Sequence, residues 1–346
     1  MIRTHRLALI GFGTVGQGLA EILLDKGDDL AQRYGVRFEI TAISDLLKGN
    51  LYLPAGLDLE VLLQTVRISG KLDAYPDSPG LIRNWDSLTT IRQSNADTVV
   101  EVSWTDVQTG QPAIGHVRAA FESGKNAVLT NKGPVALAYR ELADLARKHQ
   151  VQFRFEGTVM SGTPTLRLAQ NALAGCRISQ IQGILNGTTN YILTQMEAGQ
   201  SYAEALADAQ RLGYAEADPT ADVEGWDAAG KAVILANVLM GGHLAVADVD
   251  RTGISGLTPG DVEAARADSQ RYKLIARVWQ DPDTGEIRAS VRPTRVPVSH
   301  PLAGVSEAIN ACTFTTDLLG DVTLVGPGAG RMETGYAVLG DLLDIA

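Results

Sequence analysis

A short apolar run, residues 7–10, passes directly into Gly11-Phe12-Gly13-Thr14-Val15-Gly16, and a stretch of helical spacing, 15–30, follows at once. Glycines at this spacing between a strand and a helix constrain the fold more than any other feature of the chain, because they specify the tight first turn of a dinucleotide-binding unit. Gly11 permits the turn, Gly13 lets the backbone approach a pyrophosphate, and Gly16 lets the helix pack closely on its strand. The phosphates then sit at the positive end of the helix, so the whole run, with Phe12, Thr14 and Val15, is the candidate cradle. A glycine turn that binds nothing is the bland alternative, and the flanking strand and helix argue against it.

Further apolar runs at 38–43, 98–102 and 127–129 alternate with amphipathic stretches at 113–123, closed by Gly124, and at 136–150. That alternation predicts parallel strands with crossover helices. Near the end of the second predicted strand, Asp45 favours a free ribose 2′-hydroxyl, whereas Lys48 accommodates a 2′-phosphate. Both NAD and NADP are open, with a lean to NAD. Asp45 lies farther from Gly16 than the usual spacing of about 20 residues, which predicts an extended first helix or following turn.

From Val151 the pattern changes. Val151, Phe153 and Phe155 alternate with Gln152 and Arg154, and strand-like stretches recur at 178–185 and 287–291. Helical segments at 188–197, 202–212 and 227–240 lie between them. This predicts a second sheet of half-buried strands covered on one face. The expected architecture is α/β: a Rossmann-type dinucleotide-binding domain over 1–155, rejoined by a C-terminal segment of about 326–346 with helical spacing at 333–345, and an α+β substrate and dimerisation domain over 156–325.

The bulk properties agree with two modest cores, since 45% of the 346 residues are hydrophobic and 20% are charged. A net charge of -10 opposes binding to a phosphate backbone, so nucleic acid is not an expected partner. Cys176 and Cys312 are the only cysteines, too few for a disulfide framework. The longest apolar stretch, 232–247, is broken by Asn237 and His243 and reads as a buried helix rather than a membrane span. No export signal fits the first residues, and the cytoplasm is the expected location.

The densest chemistry lies between Gly213 and Lys231, where Glu216, Asp218, Asp222, Glu224 and Asp227 precede one lysine. Their spacing does not fit an EF-hand. Asp227 and Lys231 are four apart and share a helix face, so the carboxylate can hold the ammonium in place. Many such pairs are only surface salt bridges. The functional reading is that Glu216 first and Asp222 second bind a substrate ammonium, while Lys231 faces a reacting oxygen that needs a proton.

Thr130-Asn131-Lys132-Gly133-Pro134, Glu156-Gly157-Thr158-Val159, Asn186-Gly187-Thr188-Thr189-Asn190-Tyr191 and the segment 213–231 resemble homoserine dehydrogenases, in that order and over nearly the whole chain. Gly326-Pro327-Gly328-Ala329-Gly330 resembles the late glycine turn of that family, which closes on the nicotinamide side.

The resemblance implies an NAD(P)-dependent enzyme interconverting L-homoserine and L-aspartate 4-semialdehyde, a step of threonine, methionine and isoleucine biosynthesis. It makes Lys231 the proton donor, Asp227 its orienting group and a substrate contact, and Lys132 a second active-site lysine that also touches the cofactor. Gly213, Glu216 and Asp222 are then substrate contacts and Gly328 a cofactor contact. It also implies a monovalent cation, sodium first, held by Glu156 and by carbonyls at Val159, Ser161 and Thr163. A homodimer through the second sheet is expected, without a regulatory ACT domain. Two rival readings are a dehydrogenase of another small amino-aldehyde, and a nicotinamide-binding regulator without catalysis, which would be expected to lose the lysines or the acidic loop.

Overall fold

The structure, a computed structural model, describes residues 2–346. The chain divides into two compact units, one of residues up to 158 together with 330–346, the other of 159–329. No helix among the described residues is long and apolar enough to cross a membrane.

The first unit is built on β1 (Arg3–Ile10), whose Leu7, Ala8 and Leu9 are wholly buried, as expected of a parallel strand covered on both faces. Helix α1 (Thr14–Tyr34) follows and ends at Gly35, whose left-handed backbone lets its N–H reach Ala31 O at 3.1 Å. Its 21 residues account for the long interval before Asp45, the last residue of β2 (Val36–Asp45). A short β3 (Gly49–Tyr52) turns back antiparallel on β2. Then come α2 (Leu59–Ser69), α3 (Ser87–Gln93), β4 (Thr98–Glu101), α4 (Ala113–Glu122), β5 (Asn126–Leu129), α5 (Lys132–His149) and β6 (Phe153–Arg154).

The sheet order is β3-β2-β1-β4-β5-β6. The chain crosses one way from β1 to β2 and the other way to β4, so the crevice beyond the carboxyl ends of β1 and β4 is the switch point where ligands bind in such sheets. The alternation at 151–155 does not open the second sheet, as its pattern suggested. Phe153 and Arg154 pair parallel with Ala127 and Val128 at the edge of the first sheet. The Phe153 ring packs edge-on to Phe121, a contact no periodicity could have chosen. Helix α5 also starts earlier than its spacing indicated, because the Asn131 side chain caps it by accepting from Gly133 N at 3.1 Å.

The C-terminal helix, Arg331–Ile345, belongs to this unit and lies against α1. A methyl group on Gly18 would stand 2.3 Å from Arg331 O, and one on Gly335 would stand 2.9 Å from the Gly18 carbonyl carbon. Close beside this contact the Arg331 guanidinium grips Glu21 with two bonds, of 3.0 and 2.6 Å.

The second unit opens with α6 (Thr165–Arg167), which runs into a π-helical turn at Leu168–Ala172. There follow β7 (Ile178–Ile184), α7 (Gly187–Glu197), α8 (Tyr202–Arg211), α9 (Thr220–Val223), α10 (Trp226–Leu239), β8 (Asp250–Arg251), α11 (Pro259–Ala267), β9 (Gln270–Gln280), β10 (Ile287–Pro297), β11 (Ile309–Thr316) and β12 (Gly320–Pro327). They form a sheet of order β12-β11-β7-β9-β10-β8, antiparallel except for β8. Helix α10 packs on β10, β9 and β7. Lys273, wholly buried in β9, gives its ammonium to Val305 O at 2.7 Å and Asn190 Oδ1 at 3.2 Å. Asn190 in turn donates to Glu307 O and Ile309 O, so a member of the family-like string 186–191 serves to tie α7 to the chain entering β11.

Gly18→Ala forces backbone apart at the closest point of two helices, and overpacking of this kind costs about 1–3 kcal/mol. Denaturant unfolding is expected to show a lower midpoint for this variant. An unchanged midpoint would mean that the C-terminal helix does not need this contact.

Candidate active site

The glycine turn is shaped by what leaves no room for a side chain and what leaves room to spare. Gly11 has φ +98°, and a methyl group there would meet Val102 O at 2.7 Å. One on Gly16 would meet Gly11 O at 2.8 Å, whereas one on Gly13 would meet nothing within 4 Å. Gly13 therefore faces open space at the amino end of α1, where Thr14 and Val15 begin the helix and no side chain caps it. A dinucleotide phosphate fits such a cradle.

Asp45 has a role its sequence position did not reveal. One carboxylate oxygen accepts Phe12 N at 2.7 Å, and the other accepts Leu47 N at 3.0 Å and Lys48 N at 2.8 Å. The carboxylate at the end of β2 thus fixes the glycine turn and remains half-exposed. The next residues, Leu46 and Leu47, stand exposed.

Lys132 is the first residue of α5, at the carboxyl end of β5. It is flanked by the Asn131 cap and by Gly133, where a methyl group would lie 2.7 Å from Thr105 Cγ2. The Asn131 amide also donates to Ser103 O at 3.1 Å and to Thr105 Oγ1, tying the chain after β5 to the chain after β4.

In the second unit, the acidic run resolves into separate duties. Asp218 accepts Thr220 N at 3.0 Å, and Glu224 accepts the Ser255 hydroxyl at 2.6 Å. Glu216 stands exposed in the loop after Gly213, which has φ +79°, and its carbonyl takes the Gln210 amide at 3.1 Å. Asp222 and Asp227 converge instead. One amide nitrogen, Asn186 Nδ2, donates to Asp222 at 2.6 Å and to Asp227 at 3.0 Å, while Asn186 Oδ1 caps α7 by accepting Thr189 N at 2.9 Å.

Lys231 completes the cluster. Its Nζ lies 2.7 Å from Asp227 and donates to Leu185 O at 2.6 Å, with the residue 8% exposed. Gly225 in left-handed conformation starts α10 one residue before Trp226, which puts Asp227 in the first turn and Lys231 one turn on. Burial, and then the Asp227 charge, hold the Asp222 carboxyl above the ordinary aspartate value, against the Asn186 hydrogen bond. Of the two ammonium-binding candidates, then, the second in order, Asp222, is the one that shares the Asn186 amide with Asp227, the carboxylate that holds Lys231. Asn186 belongs to the string 186–191, whose resemblance to the family carries no role for it. Its signal was its place directly after an apolar strand and before a helix.

Glu156, buried, begins a 3-10 turn (Glu156–Thr158), and its N–H is held by Asp341 at 2.8 Å. Val159, Ser161 and Thr163 are buried too, and Ser161 has φ +53°. Thr163 O already accepts Thr165 N at 2.7 Å and its hydroxyl at 3.1 Å. The Thr163 hydroxyl donates to Pro327 O at 2.9 Å, and Gly326 and Gly328 lie against Thr163 and Asn310 too closely for any Cβ. Among the described residues no cluster of three or more His, Cys, Asp or Glu side chains could hold a metal.

Two family models match the chain. One described as "Homoserine dehydrogenase, NAD binding domain" matches residues 11–156, and one described as "Homoserine dehydrogenase" matches residues 164–343. The NAD(+)-dependent homoserine dehydrogenase of Pseudomonas canavaninivorans is 46% identical over 99% of this chain and 96% of its own. Among solved structures, a homoserine dehydrogenase from Thiobacillus denitrificans is 30% identical with TM-score 0.85, covering 99% of this chain and 73% of that one. A hyperthermophilic archaeal homoserine dehydrogenase in complex with NADPH is 29% identical with TM-score 0.84, covering 99% and 98%.

A raised carboxyl pKa in the folded state means that the native protein binds the proton more tightly than the unfolded chain. Asp222 therefore costs stability as pH rises from the ordinary aspartate value through its raised folded-state value, and the full cost is present above that. Asp222→Asn keeps an acceptor for Asn186 and removes the charge. It is expected to melt at a higher temperature than the parent at pH 7, with the difference closing as pH falls below about 4. A difference that stays constant with pH would remove the carboxylate charge as its cause.

Proposed function

The chain belongs to the homoserine dehydrogenase family, NAD(P)-dependent oxidoreductases that interconvert L-homoserine and L-aspartate 4-semialdehyde, and we propose that Lys231 supplies the proton of this reaction. The observation that carries the assignment is the buried Lys231 ammonium held by Asp227 at 2.7 Å and Leu185 O at 2.6 Å. Two fixed acceptors aim it, and the paired carboxylate favours its charged form, which is what a proton donor to an alkoxide needs.

In the reductive direction the bound nicotinamide supplies hydride to the aldehyde carbon. Lys231 donates a proton to the oxygen as negative charge develops there. Asp227 orients Lys231, and Asp222, fixed by the same Asn186 amide, binds the substrate ammonium with Glu216 and Gly213 closing the loop. Lys132, at the end of β5, is proposed to act on the cofactor side together with Gly328. A positioned proton donor contributes about 10²–10⁴-fold to rate.

For the cofactor, we propose NAD as the preferred form. An acidic residue at the end of the second strand, here Asp45, disfavours a 2′-phosphate and supports this reading, as does the Pseudomonas relative, which is named as NAD(+)-dependent. The NADPH-bound archaeal relative keeps the alternative in view, with Lys48 as the cation that would serve it.

We further propose a monovalent cation, sodium first, on oxygens of Val159 and Ser161 with Glu156. The donors are hard oxygens of the right type. Thr163 fits less well, because its carbonyl already accepts two bonds. A homodimer is proposed through the second sheet, on which Gln180, Gln182, Arg277 and Thr315 share one exposed or half-exposed face. A cytoplasmic location belongs to the same reading.

Absorbance of the reduced nicotinamide, followed with purified protein, homoserine and either NAD or NADP, tests the assignment. Homoserine-dependent reduction is expected with both, with kcat/KM at least about tenfold higher for NAD. Equal efficiencies would overturn the cofactor preference, and silence with both would overturn the reaction. Lys231→Ala is expected to lower kcat by at least about 100-fold while NADH binds as before. Because breaking a buried pair costs about 3–5 kcal/mol, Lys231→Gln serves as the control for folding. Normal turnover by either folded variant removes Lys231 from proton transfer.

A further inference from the structure

Glu101 is the last residue of β4, level with Ile10 of β1 and Leu129 of β5 at the switch point of the first sheet. It is wholly buried, none of the roles above uses it, and its Oε2 has no hydrogen-bond partner. A buried carboxylate is costly to keep, so what it holds is informative. Its Oε1 accepts the Ser103 hydroxyl and, at 3.4 Å, the Ser103 N–H. His116 Nδ1 lies 3.3 Å from the same oxygen, and His116 Nε2 lies 2.9 Å from Ser87 Oγ at the start of α3.

Ser103 is where three loops meet. Its nitrogen stands 2.8 Å from the point a Cβ on Gly11 would occupy, so it abuts the glycine turn directly. Its carbonyl accepts Asn131 Nδ2 at 3.1 Å, and Asn131 Oδ1 receives Gly133 N at 3.1 Å across Lys132. The Glu101 carboxylate thus sets the course of the chain leaving β4, and that course sets both the floor beside Gly11 and the point where Lys132 leaves β5.

We propose that Glu101 is a positioning residue for the dinucleotide, acting through Ser103 on the glycine turn and through Asn131 on Lys132. It rests on the reading of residues 11–16 as the cofactor cradle. The Ser103 hydroxyl has two acceptors, Glu101 Oε1 and, at 3.2 Å, the adjacent Trp104 O, and of the two only Glu101 ties the loop back to the end of β4. Trp104, the next residue, is 80% exposed and is one of four tryptophans, so its emission is taken as the difference from the same chain carrying Trp104→Phe.

The test uses the full chain and three variants, Glu101→Ala, Glu101→Gln and Ser103→Ala. NADH is titrated against each, Trp emission is recorded without ligand, and kcat and the two KM values are measured separately. Glu101→Ala is expected to weaken NADH binding by about tenfold or more and to shift the Trp emission. Glu101→Gln keeps one oxygen for Ser103 and is expected to bind within about threefold of the parent, with Ser103→Ala between the two. The KM for homoserine is expected to change less than the KM for cofactor. If Glu101→Ala does not fold, Ser103→Ala alone carries the test, since it deletes one hydroxyl at a half-exposed residue. Parental NADH affinity and Trp emission in the folded Ala variants, whatever their melting temperatures, overturn the inference. Failure of the unaltered chain to bind NADH or NADPH overturns the cofactor reading itself, and this inference with it.

Discussion

The contact of Gly11 with the chain leaving β4 is the constraint on which the first unit depends. A carbonyl 2.7 Å from where a Cβ would stand lets β1 turn into α1 directly over the end of its neighbour. Any side chain there would push the glycine turn away from the switch point and with it the open space at Gly13. The surrounding bonds all serve that closeness: Asp45 holds Phe12 N from the β2 side, and Ser103 abuts the turn from the β4 side. The carboxylate at the end of β2 consequently builds the turn, a job invisible in a spacing rule.

In the second unit the equivalent organising group is a neutral amide. Asn186 donates to two carboxylates that would otherwise repel one another, and its oxygen is spent on capping α7, so its orientation is not free to change. Burial of a lysine does not by itself mark chemistry. Lys125 is buried against Ile91 O, Ser94 O and Ser94 Oγ, with its pKa pulled down to about 8, and it closes the end of α3. Lys273 gives its hydrogen bonds to neutral acceptors as well, and burial lowers its pKa against the charge of Glu197. Lys231 differs because a carboxylate faces it and because it reaches the chain just beyond β7.

Local signals were legible where a residue's job is done by its own neighbours in sequence. The glycine turn, the Asp227 to Lys231 spacing and the long helix after β1 are of that kind. Elements whose identity depends on a distant partner were not. The pair Phe153–Arg154 alternates like a half-buried strand in either sheet, and only pairing with Ala127 and Val128 assigns it. In β9, Lys273 puts a lysine into a buried run, and its place there makes sense only once Asn190 and Val305 are beside it. Glu101 had no signal of its own, since a single carboxylate after an apolar run is common, and Asn186 had only its place between an apolar strand and a helix.

The sequence by itself determined the class of fold, the cofactor turn and the lysine with its helical partner, because each is set by φ/ψ demands or by spacing along one element. Tertiary structure decided which of five carboxylates in one short segment gather beside that lysine. Asp218 and Glu224 go to Thr220 and Ser255, and Asp222 joins Asp227 only because Asn186 arrives from the end of a strand 36 residues earlier. A carboxylate's partners lie within about 3 Å in space, and distance along the chain carries no information about that.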